Sequence, residues 1–410
     1  MVRAFIVAIA LALGVSPEPP APLPQGPATP LPDRILAVFF EEVGPGSELA
    51  RVDPLTLKPS GRRVRLATAG GWAAALSPNR KTLALSGGMG LATVELVDVR
   101  RMRSLGVVDL NRSGSIALLS WHRGYLFAVV HDYHRSAVVS FDPIGRAVQA
   151  RHRVRGTILQ AKEGVPGQVV LLLGPRDRIG SLRLAVVGGK GMVSTALPGF
   201  VGGSSTERDG QDIRAREEIP ALIVDEAGRR AFVFSDGSVA EVSLRNLKVT
   251  HHTLSEPVSI LGRLRNWLEP SAQAKLVEGY SRSGAWIGGG RFAVTGMNYT
   301  VSEISPAELV LVDTRDWTMQ AVAEGGAELA VADDALLTFG FHNDDGIRGY
   351  DFAGAERFHL LRGQGAWVQM IGGLAYAQIG DGRRIAVIDP ALGKKLAEAR
   401  VGRPVTLVDG

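Results

Sequence analysis

Apolar and polar positions along this chain fall into short runs that repeat one phrase. An apolar run ends in Asp, a tight turn follows, and a second strand-like run begins. The phrase reads Leu49-Ala50-Arg51-Val52-Asp53-Pro54, then Val94-Glu95-Leu96-Val97-Asp98, then Val138-Val139-Ser140-Phe141-Asp142-Pro143. It returns as Leu309-Val310-Leu311-Val312-Asp313, Ile347-Arg348-Gly349-Tyr350-Asp351 and Ile385-Ala386-Val387-Ile388-Asp389-Pro390. Two weaker copies, Leu182 to Val186 and Val239 to Leu244, keep the strand pattern without the Asp. The phase markers Asp53, Asp98, Asp142, Val187, Ser243, Asp313, Asp351 and Asp389 are separated by 45, 44, 45, 56, 70, 38 and 38 residues. Short strands recurring every ~40–45 residues predict four-stranded blades arranged around an axis.

The clearest blade begins at Trp72. Trp72 to Leu76 is a small-residue inner strand, and Ser77-Pro78-Asn79-Arg80-Lys81 is a turn with Pro pre-set for its second position. Thr82 to Ser86, Thr93 to Val97 and Ser104 to Leu110 complete it. Ala221 to Phe234 repeats the first hairpin around Asp225-Glu226-Ala227-Gly228-Arg229. The stretch Ala75 to Leu85, followed by Val94-Glu95-Leu96-Val97-Asp98, resembles the YVTN/WD40-like bacterial propeller repeat, with Asn79-Arg80 where that repeat usually carries Asp-Gly. The resemblance covers residues 33 to 410 as a pattern and is close in this blade alone. It implies a fold, in a family that ranges from scaffolds to enzymes, and it transfers no active-site residue.

Between residue 33 and the Trp72 blade there is room for three strands: Ile35 to Phe40, Glu48 to Val52 and Arg62 to Leu66. After Leu396 to Val401 one strand remains, Pro404 to Val408. That tail can supply the missing inner strand and close the ring without an open edge. The expectation is therefore an all-β propeller of eight blades, or seven if one degenerate copy is an insertion, closed by the C-terminal strand on the N-terminal blade.

The first residues bear on compartment. Met1-Val2-Arg3 followed by twelve apolar residues, Ala4 to Val15, resembles a secretory signal and is too short for the ~20 residues of a membrane-spanning helix. A misassigned start or a buried first strand is the alternative. Residues 16–32 hold eight prolines and predict an extended spacer. The predicted layout is an apolar leader over 1–15, a spacer over 16–32 and the propeller over 33–410, interrupted between blades at 200–220 and 255–278. Export places the protein in the periplasm, at the cell surface or outside the cell.

Composition narrows the chemistry. With 45% hydrophobic and 21% charged residues the chain can bury a large core. The absence of cysteine removes disulfides, thiolate metal sites and cysteine nucleophiles. A formal charge of +5 with scattered basic residues, and no basic helix, argues against nucleic-acid binding. Gly87-Gly88-Met89-Gly90 and Gly288-Gly289-Gly290 lack the strand-to-helix setting of a phosphate loop.

Strand parity locates the functional face. Loops joining strands two and three, and connections between blades, share one side, whereas the short turns share the other. The long segments fall on the first side, where binding is expected. There the densest group is His131-Asp132-Tyr133-His134, with His342, Asp344 and Asp345 at the equivalent place four repeats on. Glu41-Glu42 and Asn298-Tyr299 occupy the same level. Ile260, Leu261, Leu264, Trp267 and Leu268 make a helix-period stripe that caps the rim or forms a lid, with Arg263, Arg265 and Trp267 meeting an anionic or sugar-like ligand. No nucleophile, base and orienter can be assembled. The leading reading is an exported, non-catalytic, monomeric propeller binding a protein, cell-envelope glycan or small ligand, without a cofactor and without a membrane span beyond the leader. The alternative is a metal-assisted hydrolase or lactonase-type enzyme using His131, Asp132, His134, Glu41 and Asp345 around Ca²⁺ or Zn²⁺.

Overall fold

The computed structural model describes residues 29–40, 46–68, 73–88, 90–122, 124–132, 136–189, 191–209, 212–235, 237–255, 277–300, 304–340 and 346–410. The predicted leader, most of the spacer and the helical stripe at 260–268 lie outside them, as do Glu41, Glu42, His134, Arg263, Arg265, Trp267, His342, Asp344 and Asp345.

The described residues form strands and turns, with no helix among them. Middle strands such as Tyr125–His131 and Gln168–Gly174 read as unbroken apolar runs because both of their faces are covered. Alternation then decides which neighbour each side chain meets. In Ile35–Phe40, Ile35 and Ala37 pack with Tyr376, Ile385 and Val387, whereas Leu36 and Val38 pack with Leu83, Leu85 and Val97. Outer strands have one covered face and alternate, as in Ala147–Arg153.

The innermost strands meet in cyclic order: Val405–Asp409, Ala74–Leu76, Ser115–His122, Thr157–Glu163, Ala221–Asp225, Val277–Gly288, Glu328–Val331 and Ala366–Ile371, which returns to the first. Val405–Asp409 pairs antiparallel with Ile35–Phe40, so the two ends of the described chain share one sheet, Pro59–Leu66, Ser47–Val52, Ile35–Phe40, Val405–Asp409.

The expected count of eight blades, with seven as the alternative, is corrected. Six sheets are separate four-stranded blades: the one just given and those within residues 74–113, 115–153, 221–253, 328–360 and 366–400. The other strands form one ten-stranded sheet. Its cause is the 19-residue strand Gly191–Asp209. The first part pairs with Ile179–Gly188, and the part from Gly203 onward pairs with Asp212–Ile219. Glu217 to Ile219 then pairs in parallel with Gly279 to Ser281. Residues 200–220, read from sequence as an interruption between blades, are thus largely strand.

The short-turn side carries the start of the described chain. The Thr29 backbone N–H and hydroxyl donate to the buried Asp389 carboxylate at 3.1 and 2.9 Å, and Pro32 lies against Gly372.

Candidate functional site

The recurring Asp is a turn device. Its carboxylate accepts from backbone N–H groups two to four residues on, closing the turn between the third and fourth strands. Asp53 Oδ1 takes Leu55 N and Thr56 N at 3.1 and 2.7 Å, Asp98 takes Arg101 N at 2.9 Å, and Asp142 takes Ile144 N at 2.8 Å. Asp313, Asp351 and Asp389 do the same with Arg315, Ala353 and Ala391. Ser243 substitutes its hydroxyl for Arg245 N at 3.4 Å. These backbone bonds, led by Thr56 and Arg101, hold Asp53 and Asp98 below the usual carboxylate range. The Arg315 side chain pulls Asp313 down to about 2. The motif that reveals the fold therefore supplies structure, on the side opposite the long loops.

On the loop-rich side the ten-stranded sheet makes a polar wall. Backbone pairing sets residues of Asp212–Ile219, Val277–Gly288, Arg291–Thr300 and Ile304–Pro306 in rows. One row is Glu217, Gly279, Tyr299 and Ile304, and the next is Glu218, Tyr280, Asn298 and Ser305. Successive rows face opposite ways. Tyr280, Arg282 and Asn298 share a face. Arg282 donates to Asn298 Oδ1 at 2.9 Å and to Met297 O at 2.8 Å, and its guanidinium sits 4.8 Å from the Tyr280 ring centroid. The Tyr280 hydroxyl is 3.2 Å from Ser235 Oγ, which fastens this face to the 221–253 blade. Gly279 is required by approach: a Cβ there would fall 2.0 Å from Glu217 O.

The other face, with Glu217, Ser281 and Tyr299, belongs to a group of ionisable side chains drawn from separate strands. Burial lowers the Lys162 ammonium, opposed by the Glu328 charge from across the ring. Burial first, then the charges of Glu217 and Glu328, raise Tyr299, partly offset by a Ser281 hydrogen bond and the Arg282 charge. Burial also raises Glu217, although its outer side stays open to solvent. Gln160, on the same strand as Lys162, links the backbone of two further inner strands. It accepts from Leu222 N at 2.8 Å and donates to Arg282 O at 2.6 Å. Chemically, the group offers a hydroxyl that keeps its proton at neutral pH, an amine that gives one up more readily than a surface lysine, and two carboxylates. Such a set can hold a polar ligand from several sides.

Two residues expected at the site are described. His131 ends Tyr125–His131 on the loop-rich side, and the Asp132 carboxylate accepts from Ser113 Oγ at 2.7 Å. Ser136 Oγ donates to Asp132 O at 3.2 Å, so the loop is braced locally. Among the described residues nothing joins this pair to the Lys162 group, and no three His, Asp or Glu are placed to hold a metal ion. Sequence reading named Asn298 and Tyr299 and did not name Lys162, Glu217, Arg282 or Glu328. One signal was available: Gln160 and Lys162 are long polar residues on an inner strand that should carry small ones.

No family model matches this chain, and no curated protein matches it. Solved structures do. The dihydro-heme d1 dehydrogenase NirN, in complex with DHE, is 14% identical over 96% of this chain and 79% of its own, with a TM-score of 0.58. AztD from Citrobacter koseri is 11% identical over 92% of this chain and 98% of its own, at a TM-score of 0.48. BamB from Moraxella catarrhalis is 11% identical over 83% of this chain and 95% of its own, also at 0.48. Identities this low speak to fold alone, and the likeness to the first of these is consistent with a fold-level resemblance to YVTN/WD40-like propellers.

Proposed function

We propose that this chain is an exported binding propeller that holds a polar ligand on its loop-rich face, beside the wall formed by residues 203–219 and 277–300, without catalysing its conversion. The observation carrying this reading is the grouping of Lys162, Glu217, Tyr299 and Glu328 at one sector of that face, contributed by four separate strands. Folding alone gives no reason to bury an ammonium group, since desolvating it is unfavourable. Export rests on the leader-like residues 1–15, and a protein or cell-envelope component of polar character is the expected partner. No helix among the described residues is long and apolar enough to cross a membrane. The described chain enters the propeller on the short-turn side, so a tether there would leave the loop-rich face turned outward.

The test is binding of a panel of envelope glycans, peptides and small polar metabolites to the full chain and to K162A, E217Q and Y299F. A ligand of the site should lose roughly tenfold in affinity for each variant, the loss expected of one charge-assisted hydrogen bond. Ligands found to bind all three variants like the parent would place the function elsewhere. The metal-assisted alternative calls for His131 and Asp132 as ligands. Stoichiometric Ca²⁺ or Zn²⁺ in the purified protein, lost in H131A, would favour it.

A further inference from the structure

The ring closes between the first sheet and the 366–400 blade, and a cavity of about 200 Å³ opens at that seam. This is below the ~300–1,000 Å³ that drug-sized ligands occupy, so its size suits a small molecule. The buried Phe39 ring and the Leu57 side chain give it an apolar floor, and Thr56 adds a hydroxyl. Four cations line it: Lys58, Arg63, Arg400 and Arg403. They come from three places in the chain, the 53–58 turn, the outer strand Pro59–Leu66, and the link from Lys394–Arg400 to the closing strand.

Among the described residues, few carboxylates face these cations. Glu48 Oε2 serves both Arg403, at 2.7 Å, and Arg63, at 3.5 Å. The Arg403 guanidinium is held 5.9 Å from the Phe39 ring centroid. Asp53 acts on Lys58 through its charge alone. Arg400 makes no ion pair with a described residue. Among the described residues the lining thus carries an excess of positive charge around an apolar floor, at a seam that apolar side chains of the two sheets pack.

We propose that this seam cavity is a second binding site, distinct from the wall site, for a small organic anion: one carboxylate or phosphate group on a hydroxylated skeleton of about sugar size. Arg400 and Lys58 take the anionic group, Arg63 and Arg403 keep their hold on Glu48 and shape the wall, and Phe39 and Leu57 meet the apolar face of the skeleton. An uncharged sugar lacks the group that the cations recognise.

Calorimetric titration of the full chain with a hexuronate, a hexose phosphate and the neutral hexose tests this. At least one anion should bind saturably, and the neutral sugar should not; which anion binds tells carboxylate from phosphate. Affinity should fall as salt is raised. R400Q and K58Q, both at exposed positions, should each weaken binding roughly tenfold with the melting temperature unchanged, whereas K162A, in the wall site, should leave it intact. Absence of saturable binding by either anion, equal binding of the neutral sugar, or affinity indifferent to both R400Q and K58Q would overturn the proposal.

Discussion

The blade within residues 74–113 and the ten-stranded sheet are built from the same strand chemistry and end differently. In the blade, strands stop at the edge of the disc. Asp98 closes one turn, Ser77 and Asn79 close another, and one side chain grips the described start of the link from the preceding sheet. That side chain is Glu95, fully buried, accepting Ala67 N, Thr68 N, the Thr68 hydroxyl and the Ser104 hydroxyl between 2.7 and 3.1 Å. In the ten-stranded sheet the strands run past the disc and backbone pairing takes over the joining. There Thr295 does a smaller version of the Glu95 task, exchanging hydrogen bonds with Gly326 N and O at 3.1 and 2.8 Å. The difference teaches that a blade closed by caps has no surplus backbone to offer. A sector closed by pairing raises a wall, and the wall presents rows of side chains to the channel.

Substitutions can separate these two ways of closing. The largest effect is expected of E95A, which removes a fully buried acceptor from four part-buried donors. It should lower stability by about 3 kcal/mol or more in chemical unfolding of the whole chain. A change below about 1 kcal/mol would show that the clamp does not hold the link. G279A comes next. Its Cβ collides with Glu217 O, so the parallel pairing must part, at a cost of about 1–3 kcal/mol. Hydrogen exchange should quicken at residues 217–219 and 279–281 and stay unchanged at 82–98. Uniform loss of protection would mean that the wall is not a separable unit.

Capping substitutions are smaller. D98A should cost about 1 kcal/mol, a typical value for a lost cap, and D53A a similar amount; sites so far apart should add. Acid should mimic them. Asp53, Asp98 and Asp313 sit below their unfolded-state range, so their contribution is complete above pH ~4 and is lost as pH falls through their folded values, about 2 for Asp313. D53N, D98N and D313N combined should flatten the stability curve between about pH 4 and 2. An unchanged curve would assign acid sensitivity to other groups. The smallest effect has the opposite sign. K162M removes a half-buried ammonium and should raise stability by up to about 1 kcal/mol while abolishing ligand binding at the wall site. A destabilised K162M would make the lysine a structural partner of Glu328.

The Asp phrase was legible because an Asx turn is local: the carboxylate and the amides it caps lie within four residues of each other. Val187 lacks the cap because Gly188 pairs directly with Gly191 in a tight hairpin, which is also a local matter. The polar run Ser204 to Arg216 looked like a loop, since strand pairing through backbone needs no apolar residue when the strands stand clear of the core. Of the residues singled out from sequence, His131 ends a second strand with Asp132 beside it, and Tyr299 lies in the wall. Their partners could not be read, because Lys162, Glu217 and Glu328 are far apart in the chain and meet only around the ring.

The chain by itself determined strand length, turn chemistry and the two-faced apolar runs that let sheets stack around an axis, because these depend on neighbours a few residues away. Tertiary structure alone decided that residues 217–219 pair with residues 279–281, joining what would be separate sheets into one. It alone decided that a lysine, a tyrosine and two glutamates share a channel mouth and that four cations crowd a seam. Those outcomes depend on backbone edges and charges brought together by ring closure, and no local pattern encodes which edges will meet.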